Sequence, residues 1–450
     1  MQIPYFCKTI FIKNTSINNK LLINMYENNL EFALNKDRND SIALYRDKFF
    51  MPKQGNGNEF IYFTGNSLGL QPKSVRKYIE QELKDWETMG VEGHFNAKNP
   101  WMFYHEFLTD KMARIVGGLP SEVVVMNTLT VNLHLMMVSF YTPTKVKNKI
   151  LIEKNAFPSD QYAIKSQIEF HGFNPAECLV EIEAKEGETY IRTEDILQLI
   201  DKEGDSIALI MLGGVNYYTG QAFDMQAITE AGHKKSCRVG FDLAHGAGNL
   251  LLDLHNWNVD FAVWCTYKYL NSGPGGISGC FVHKKHADNS SLPRFAGWWG
   301  HNKARRFLME DEYLPISGAE GWQLSNAPIL PMASLLASLD IFDEVGMEKL
   351  NKKSSDLTSY LEYLLLEIND RRISIITPSD KNQRGCQLSI RVKDSGKSLF
   401  DKITEQGVIA DWREPDVIRV APVPLYNSYT DVFRFVEILS EILENNINSS

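Results

Sequence analysis

Between Arg114 and Val282 the chain alternates two kinds of hydrophobic pattern. Uninterrupted apolar runs, "EVVVM", "KILIE", "IALIMLGGV", "RVGFD", "DFAVWCTYK" and "GISGCFVH", form one kind. The other is apolar at helical spacing: "TLTVNLHLMMVSFY", "SDQYAIKSQIEFHG" and "DMQAITEAGHKKS". Strands that are apolar at every position are covered on both faces. Their alternation with helices predicts an α/β domain around a large, mostly parallel sheet. Upstream, "MYENNLEFALNKDRNDSIALYRDKFF" predicts a helical segment, and "FIYFTGNSLGLQPKSVRKYIEQELKDWETMG" a strand, a glycine-rich turn and a helix. From about Pro331 the pattern changes to long helices, three short strands ("ISIITP", "CQLSIRV", "IRVAPV") and a last helix, which predicts a smaller α+β domain. The expected organisation is a disordered arm over 1–23, a segment over 24–60 packing with the small domain, a large α/β domain over 61–330, and the small domain over 331–450. No internal repeat is visible.

Length and charge narrow the function. At 450 residues the chain exceeds what one core usually supports, so more than one domain is expected. A net charge of −9 argues against nucleic acid or an anionic membrane as partner. No apolar run approaches the roughly 18 residues of a membrane span, and the first residues lack a small-residue cleavage site, so a cytoplasmic protein is expected. The six cysteines are scattered without a CxxC pair, and the ten histidines form no HExxH. "HKKH", from His283 to His286, reads as a solvated turn. No metal centre is expected.

Two of the apolar runs stop on charges: Asp242 ends "RVGFD" and Lys268 ends "DFAVWCTYK". Ligands of open α/β sheets bind beyond the carboxyl ends of strands. A desolvated lysine there suits Schiff-base chemistry with a carbonyl, or equally a structural ion pair. Asp242 tips the balance, because pyridoxal phosphate (PLP) needs a carboxylate against its ring nitrogen; the same residue could cap the turn that follows. His245 could hydrogen-bond the ring oxygen or that Asp. After "EVVVM", Leu129 and Thr130 open a helix whose N-terminus could hold a phosphate, or could simply be capped. At the next strand end, in "FPSD", Phe157 could stack on an aromatic cofactor. Asp160 could share the ring nitrogen or cap its helix.

These residues stand in blocks that closely resemble kynureninase: "FIYFTGNSLGL", "LTVNLHLMM", "FPSDQYAI", "NYYTGQ", "GFDLAH", "WNVDFAVWCTYKYLNSGPGG", "GWWGH", "LSNAPIL", "RGCQLSI" and "IRVAPVPLYNS", in order from about Tyr62 to Tyr426. The resemblance implies the aspartate-aminotransferase-like fold (fold type I of PLP enzymes). It also implies hydrolysis of L-kynurenine or 3-hydroxykynurenine to anthranilate or 3-hydroxyanthranilate plus L-alanine. It places the Schiff base on Lys268 and the ring-nitrogen carboxylate on Asp242, helped by Asp160 and His245. Phe157 would stack on the ring, Leu129 and Thr130 would hold the phosphate with Tyr267 beside them, and Arg419 would grip the substrate α-carboxylate. It further implies a homodimer with shared sites, in which Trp298 and Asn326 reach the neighbouring subunit's phosphate. Some relatives carry Ser-Gly-Val where this chain has Gly213-Gly214-Val215, so only a backbone contact is left at Gly213.

Tyr267 is expected to protonate the released Cβ, or otherwise only to bond the phosphate. The aryl end of the substrate is expected against His94, Trp299, His301, Ser325 and Asn326. Of these His94, Ser325 and Asn326 would read a ring 3-hydroxyl and favour 3-hydroxykynurenine; alternatively His94 caps a loop and Ser325 only turns the chain. Two competing readings are another lyase of the same fold, such as a cysteine desulfurase, and a PLP-binding protein without turnover. The first needs a reactive cysteine on a mobile loop, whereas Cys386 opens a strand.

Overall fold

The computed structural model describes residues 25–289, 291–393 and 396–447; the expected arm over 1–23 lies outside the described residues. Strands in chain order are β1 (Ile61–Tyr62), β2 (Val123–Val125), β3 (Lys149–Glu153), β4 (Leu179–Ile182), β5 (Ile207–Gly213), β6 (Arg238–Asp242), β7 (Phe261–Cys265), β8 (Ser278–Val282), β9 (Ile373–Ile375), β10 (Leu388–Val392), β11 (Val408–Ile409), β12 (Asp411–Arg413) and β13 (Val417–Val420). The main sheet has the order β2-β8-β7-β6-β5-β3-β4. The β3–β4, β3–β5, β5–β6 and β6–β7 pairs are parallel, while β8 runs antiparallel to both β7 and β2.

Side-chain alternation along each strand divides the apolar residues between two cores. Leu151, Ile210, Leu212, Val239, Phe241, Ala262 and Trp264 face one side. Ile150, Ile152, Leu209, Met211, Phe261 and Val263 face the other, where they meet Leu133, Met136, Met137, Ala163 and Ile164 of the Leu129–Phe140 and Pro158–Phe170 helices. This is why these strands read as continuous apolar runs: apart from strand ends, every position of β3, β5, β6, β7 and β8 is buried on one face or the other.

A second sheet, ordered β12-β13-β10-β9 and antiparallel throughout, carries a third core with the Met347–Ile368 and Tyr429–Ile447 helices. Tyr26 and Ala33 belong to this core, which also holds Phe63. The β1 strand pairs in parallel with β11, so contact with the segment expected as the small domain continues past residue 60 into β1. His283 and His286 are not a solvated turn. Both are buried, with His286 Nε2 2.7 Å from Asp260 Oδ1 and His283 Nδ1 accepting the Lys285 N–H. No helix among the described residues is long and apolar enough to cross a membrane.

Candidate active site

Because β3, β5, β6 and β7 run in one direction, Glu153, Gly213, Asp242 and Cys265 all end at the same edge of the sheet. Lys268 follows three residues after β7, in a loop pinned by the earlier glycine turn. The Gly69 N–H donates to the Tyr267 carbonyl at 2.8 Å. A Cβ at Gly69 would lie 2.3 Å from the Lys268 carbonyl oxygen, so this close approach requires glycine.

The cavity at this edge holds about 650 Å³ of empty space, part of it open to solvent. Leu129, Thr130, Phe157, Asp160, Asp242, His245, Tyr267 and Lys268 all line it, together with Glu153, Ser159, Gly213, Val215, Tyr217 and Ala244. Lys268 Nζ donates to His245 Nε2 at 3.1 Å. It lies 5.9 Å from the ring centroids of both Phe157 and Tyr267. Burial, then the charges of Lys268 and Arg419, hold His245 well below the usual histidine range. The ring is therefore neutral; with Nε2 accepting from Lys268, the proton sits on Nδ1, which is buried without a partner among the described residues.

Asp242 and Asp160 are both buried. Burial, then the Asp242 carboxylate, raises Asp160 well above the usual carboxylate range. Burial raises Asp242 too, but the Ala244 N–H, which Oδ1 accepts at 2.7 Å, and the Lys268 charge oppose it. The pair thus carries its negative charge on Asp242 and its proton on Asp160. The turn-capping role open to Asp242 is filled by the same Ala244 bond. Asp160 does not cap its helix; it is the third helical residue, and its Oδ1 is buried without a partner among the described residues.

Two helix starts meet at the opposite wall. Asn127, at φ 50°, turns the chain sharply after β2, a conformation asparagine tolerates. Thr128 then precedes the Leu129–Phe140 helix without a side-chain cap, which leaves the first-turn N–H groups facing outward. Thr130 Oγ1 lies 2.8 Å from Ser159 Oγ, at the start of the Pro158–Phe170 helix. Phe157 is half-exposed and meets Tyr217 edge to face at 5.3 Å. Burial pushes the Tyr267 phenol up, so it stays protonated across the neutral range.

The remaining expected residues do not line the cavity. Arg419, on β13, is 1% exposed; Nη1 donates to the Tyr217 carbonyl at 2.7 Å and Nη2 pairs with Asp411. Tyr217 therefore connects it to the cavity wall. His94 Nδ1 donates to the Val91 carbonyl at 3.0 Å, the loop-capping alternative. Trp298 is half-exposed, and its Nε1 donates to the Arg306 carbonyl at 3.0 Å. Trp299 is buried under Arg306, 4.5 Å from its guanidinium, and His301 Nδ1 accepts the Leu314 N–H at 3.0 Å. Ser325 and Asn326 are exposed. Sequence reading missed Glu153, Ser159 and Tyr217. Ser159 stands inside "FPSD", and Glu153 ends an apolar run just as Asp242 does, so the same signal marks it.

The buried carboxylates, the amine, the flat aromatic wall and the unpaired helix N–H groups fit one molecule with a ring nitrogen to protonate, an aldehyde and a phosphate. Solved structures of the same fold include the cysteine desulfurase CsdA of Escherichia coli (TM-score 0.72, 16% identity, covering 90% of this chain and 98% of that one). Another is the cystine C–S lyase C-DES in complex with cysteine persulfide (TM-score 0.70, 16% identity, 85% and 97%). Residues 350–439 match the kynureninase C-terminal domain model. Kynureninase of Koribacter versatilis is 60% identical over 90% of this chain and 96% of its own, that of Flavobacterium psychrophilum 56% over 94% and 100%, and that of Nematostella vectensis 50% over 91% and 93%. With this identity sustained along both domains, the chain belongs to the kynureninase family.

Proposed function

We propose that the chain is a PLP-dependent hydrolase that cleaves the Cβ–Cγ bond of L-kynurenine or L-3-hydroxykynurenine. Water is consumed, and anthranilate or 3-hydroxyanthranilate is released with L-alanine. The observation that carries this reading is the convergence of Lys268, Asp242, Asp160, His245 and Tyr267 on one cavity at the carboxyl edge of the sheet. When bound, PLP supplies an aldehyde that takes up amines and a protonated ring that withdraws electrons from bonds at the substrate's Cα.

Asp242 holds a proton on the ring nitrogen; its charge survives burial because Ala244 N–H and Lys268 stabilise it. Lys268 would hold the cofactor through its aldehyde and, as a free amine, would move the proton at the substrate's Cα. Neutral His245 accepts from Lys268 Nζ and keeps the amine directed into the cavity. The Leu129–Phe140 N-terminus, Thr130 and Ser159 bind the phosphate. Tyr267, kept protonated by burial, delivers the proton that the released Cβ requires. Arg419, whose fork is engaged by the Tyr217 carbonyl and Asp411 in the single chain, exchanges these partners to bind the α-carboxylate. Any contact from Gly213 comes through its backbone. The protein acts in the cytoplasm as a homodimer, with Trp298 and Asn326 completing the neighbouring phosphate site. His94, Trp299, Ser325 and Asn326 receive the aryl ring, and the 3-hydroxylated substrate is preferred.

The described cysteines do not favour the desulfurase alternative. Each is buried, and burial pushes the Cys386 thiol up to about 12. The test is absorbance spectroscopy of the PLP-loaded protein before and after adding kynurenine, with anthranilate followed by fluorescence. Wild type changes spectrum and releases anthranilate, whereas Lys268→Ala releases none and yields no PLP-labelled peptide after borohydride reduction. A PLP-binding protein without turnover would change spectrum and release nothing. For the aryl end, kcat/KM is compared for both substrates in wild type and His94→Phe. Equal or higher efficiency on kynurenine in the wild type rejects the assigned preference.

A further inference from the structure

One carboxylate in the cavity has no part in the chemistry above. Glu153, at the end of β3, is 3% exposed, and both of its oxygens lie 3.3 Å from the Gly213 nitrogen, whose N–H they share. Gly213 leaves it this place: a Cβ there would lie 3.0 Å from Glu153 Oε1. The side chain lines the cavity with Asp160 and Asp242. The adjoining Lys154 points away, to Glu183 at 2.5 Å, and apolar Ile182 stands across the β3–β4 pairing.

Three buried acids therefore share one ammonium, since Lys268 is the only Lys or Arg among the described cavity-lining residues. Two uncompensated buried negative charges cost several kcal/mol, and buried groups avoid that cost by keeping their protons. Asp242 has Ala244 N–H and Lys268 to stabilise its charge, whereas Glu153 has only backbone N–H groups, its own and that of Gly213. Burial raises Glu153 to about 7, with its own and the Gly213 backbone N–H groups opposing and Asp242 adding to the rise. Facing it are Asp160 from the Pro158–Phe170 helix, Asp242 from β6 and Lys268 after β7, with His245 neutral and Tyr267 protonated.

We propose that Glu153 is a positioning acid for the cofactor, which holds its proton below neutral pH so that Asp242 alone presents a full negative charge to the ring nitrogen. Above neutral pH Glu153 ionises and adds a second negative charge beside that carboxylate. This rests on the cavity being the PLP site.

The test is the absorbance of PLP-loaded protein titrated from about pH 6 to about pH 8. The wild-type cofactor band shifts with a single transition in that window; Glu153→Gln keeps the low-pH wild-type spectrum throughout. The same transition in both proteins, or none in the wild type, overturns the proposal. Infrared spectroscopy of wild type labelled with carboxyl-13C glutamate gives a reading that needs no variant and no cofactor. A protonated-carboxyl band is present at the low end and lost across the window; its absence at the low end overturns the proposal even if Glu153→Gln fails to fold. Should wild type take up no PLP at all, the cofactor reading fails instead, and the infrared band, compared with that of cofactor-free Glu153→Gln, still decides whether Glu153 holds a proton.

Discussion

An apolar run long enough to be buried leaves a charge at its end little place but a cavity, and Asp242 and Lys268 both line one. Glu153 obeys the same logic at the end of "KILIE" but has no recognisable motif around it, so only the folded arrangement brings it to Asp160 and Asp242. Arg419 is different again. It lies inside "VIRV", fully buried, and its tolerance there depends on Asp411 and the Tyr217 carbonyl, partners set by sheet pairing and by a contact across 202 residues. The Glu153 position has a consequence for stability. Its folded pKa is raised from 4.5 to about 7, so the folded state binds the proton more tightly than the unfolded chain. The contribution is fully present below about pH 4.5 and is lost as pH rises through about 7. Cofactor-free wild type should therefore lose on the order of 3 kcal/mol, relative to Glu153→Gln, across that window. Urea unfolding of both proteins at several pH values measures it; parallel stability curves would show that Glu153 is ionised throughout.

At the level of elements, the strand–helix alternation of the large domain was readable because each apolar run is local and each helix has its own period. The reversed direction of β8 was not, since an apolar run does not encode its direction. Its connection did carry a clue. Residues 266–277 show no helical pattern, and a parallel return would need a crossover, usually a helix. The β1–β11 pairing was invisible for another reason: two residues pair across nearly 350 positions and leave no local signal. The two helix starts at the cavity make a prediction that belongs to this scale. Thr130 and Ser159 hydroxyls, 2.8 Å apart, come from different helices and converge where a phosphate would sit. Thr130→Ala and Ser159→Ala should each weaken PLP binding by roughly tenfold, about 1.4 kcal/mol. The double variant should lose less than the product, because each hydroxyl also orients the other. Titration of cofactor-free protein with PLP measures all three affinities, and unchanged affinity in both single variants would place the phosphate elsewhere.

For the whole molecule, the family resemblance expects Trp298 and Asn326 to reach a neighbouring subunit's site. Neither lines the cavity, and both are exposed at the surface to a degree that suits contact with a second chain. Beside Trp298 lies an aromatic cluster: Phe95 and Phe307 are each more than half exposed, with Trp298 and Phe307 rings 5.4 Å apart and Phe307 and Phe95 rings 6.3 Å apart. Exposed aromatic clusters of this kind mark association surfaces on soluble proteins. In a two-fold dimer each chain would give its Lys268 to one site and its Asn326 to the other. Lys268→Ala and Asn326→Asp chains should both be nearly inactive alone. When they are co-expressed, every mixed dimer has one site carrying both lesions and one carrying neither. At equal expression and random pairing, activity should return to roughly a quarter of wild type. If sites are complete within one chain, mixing restores nothing beyond the two parents, and an active monomer in light scattering would exclude the shared arrangement outright.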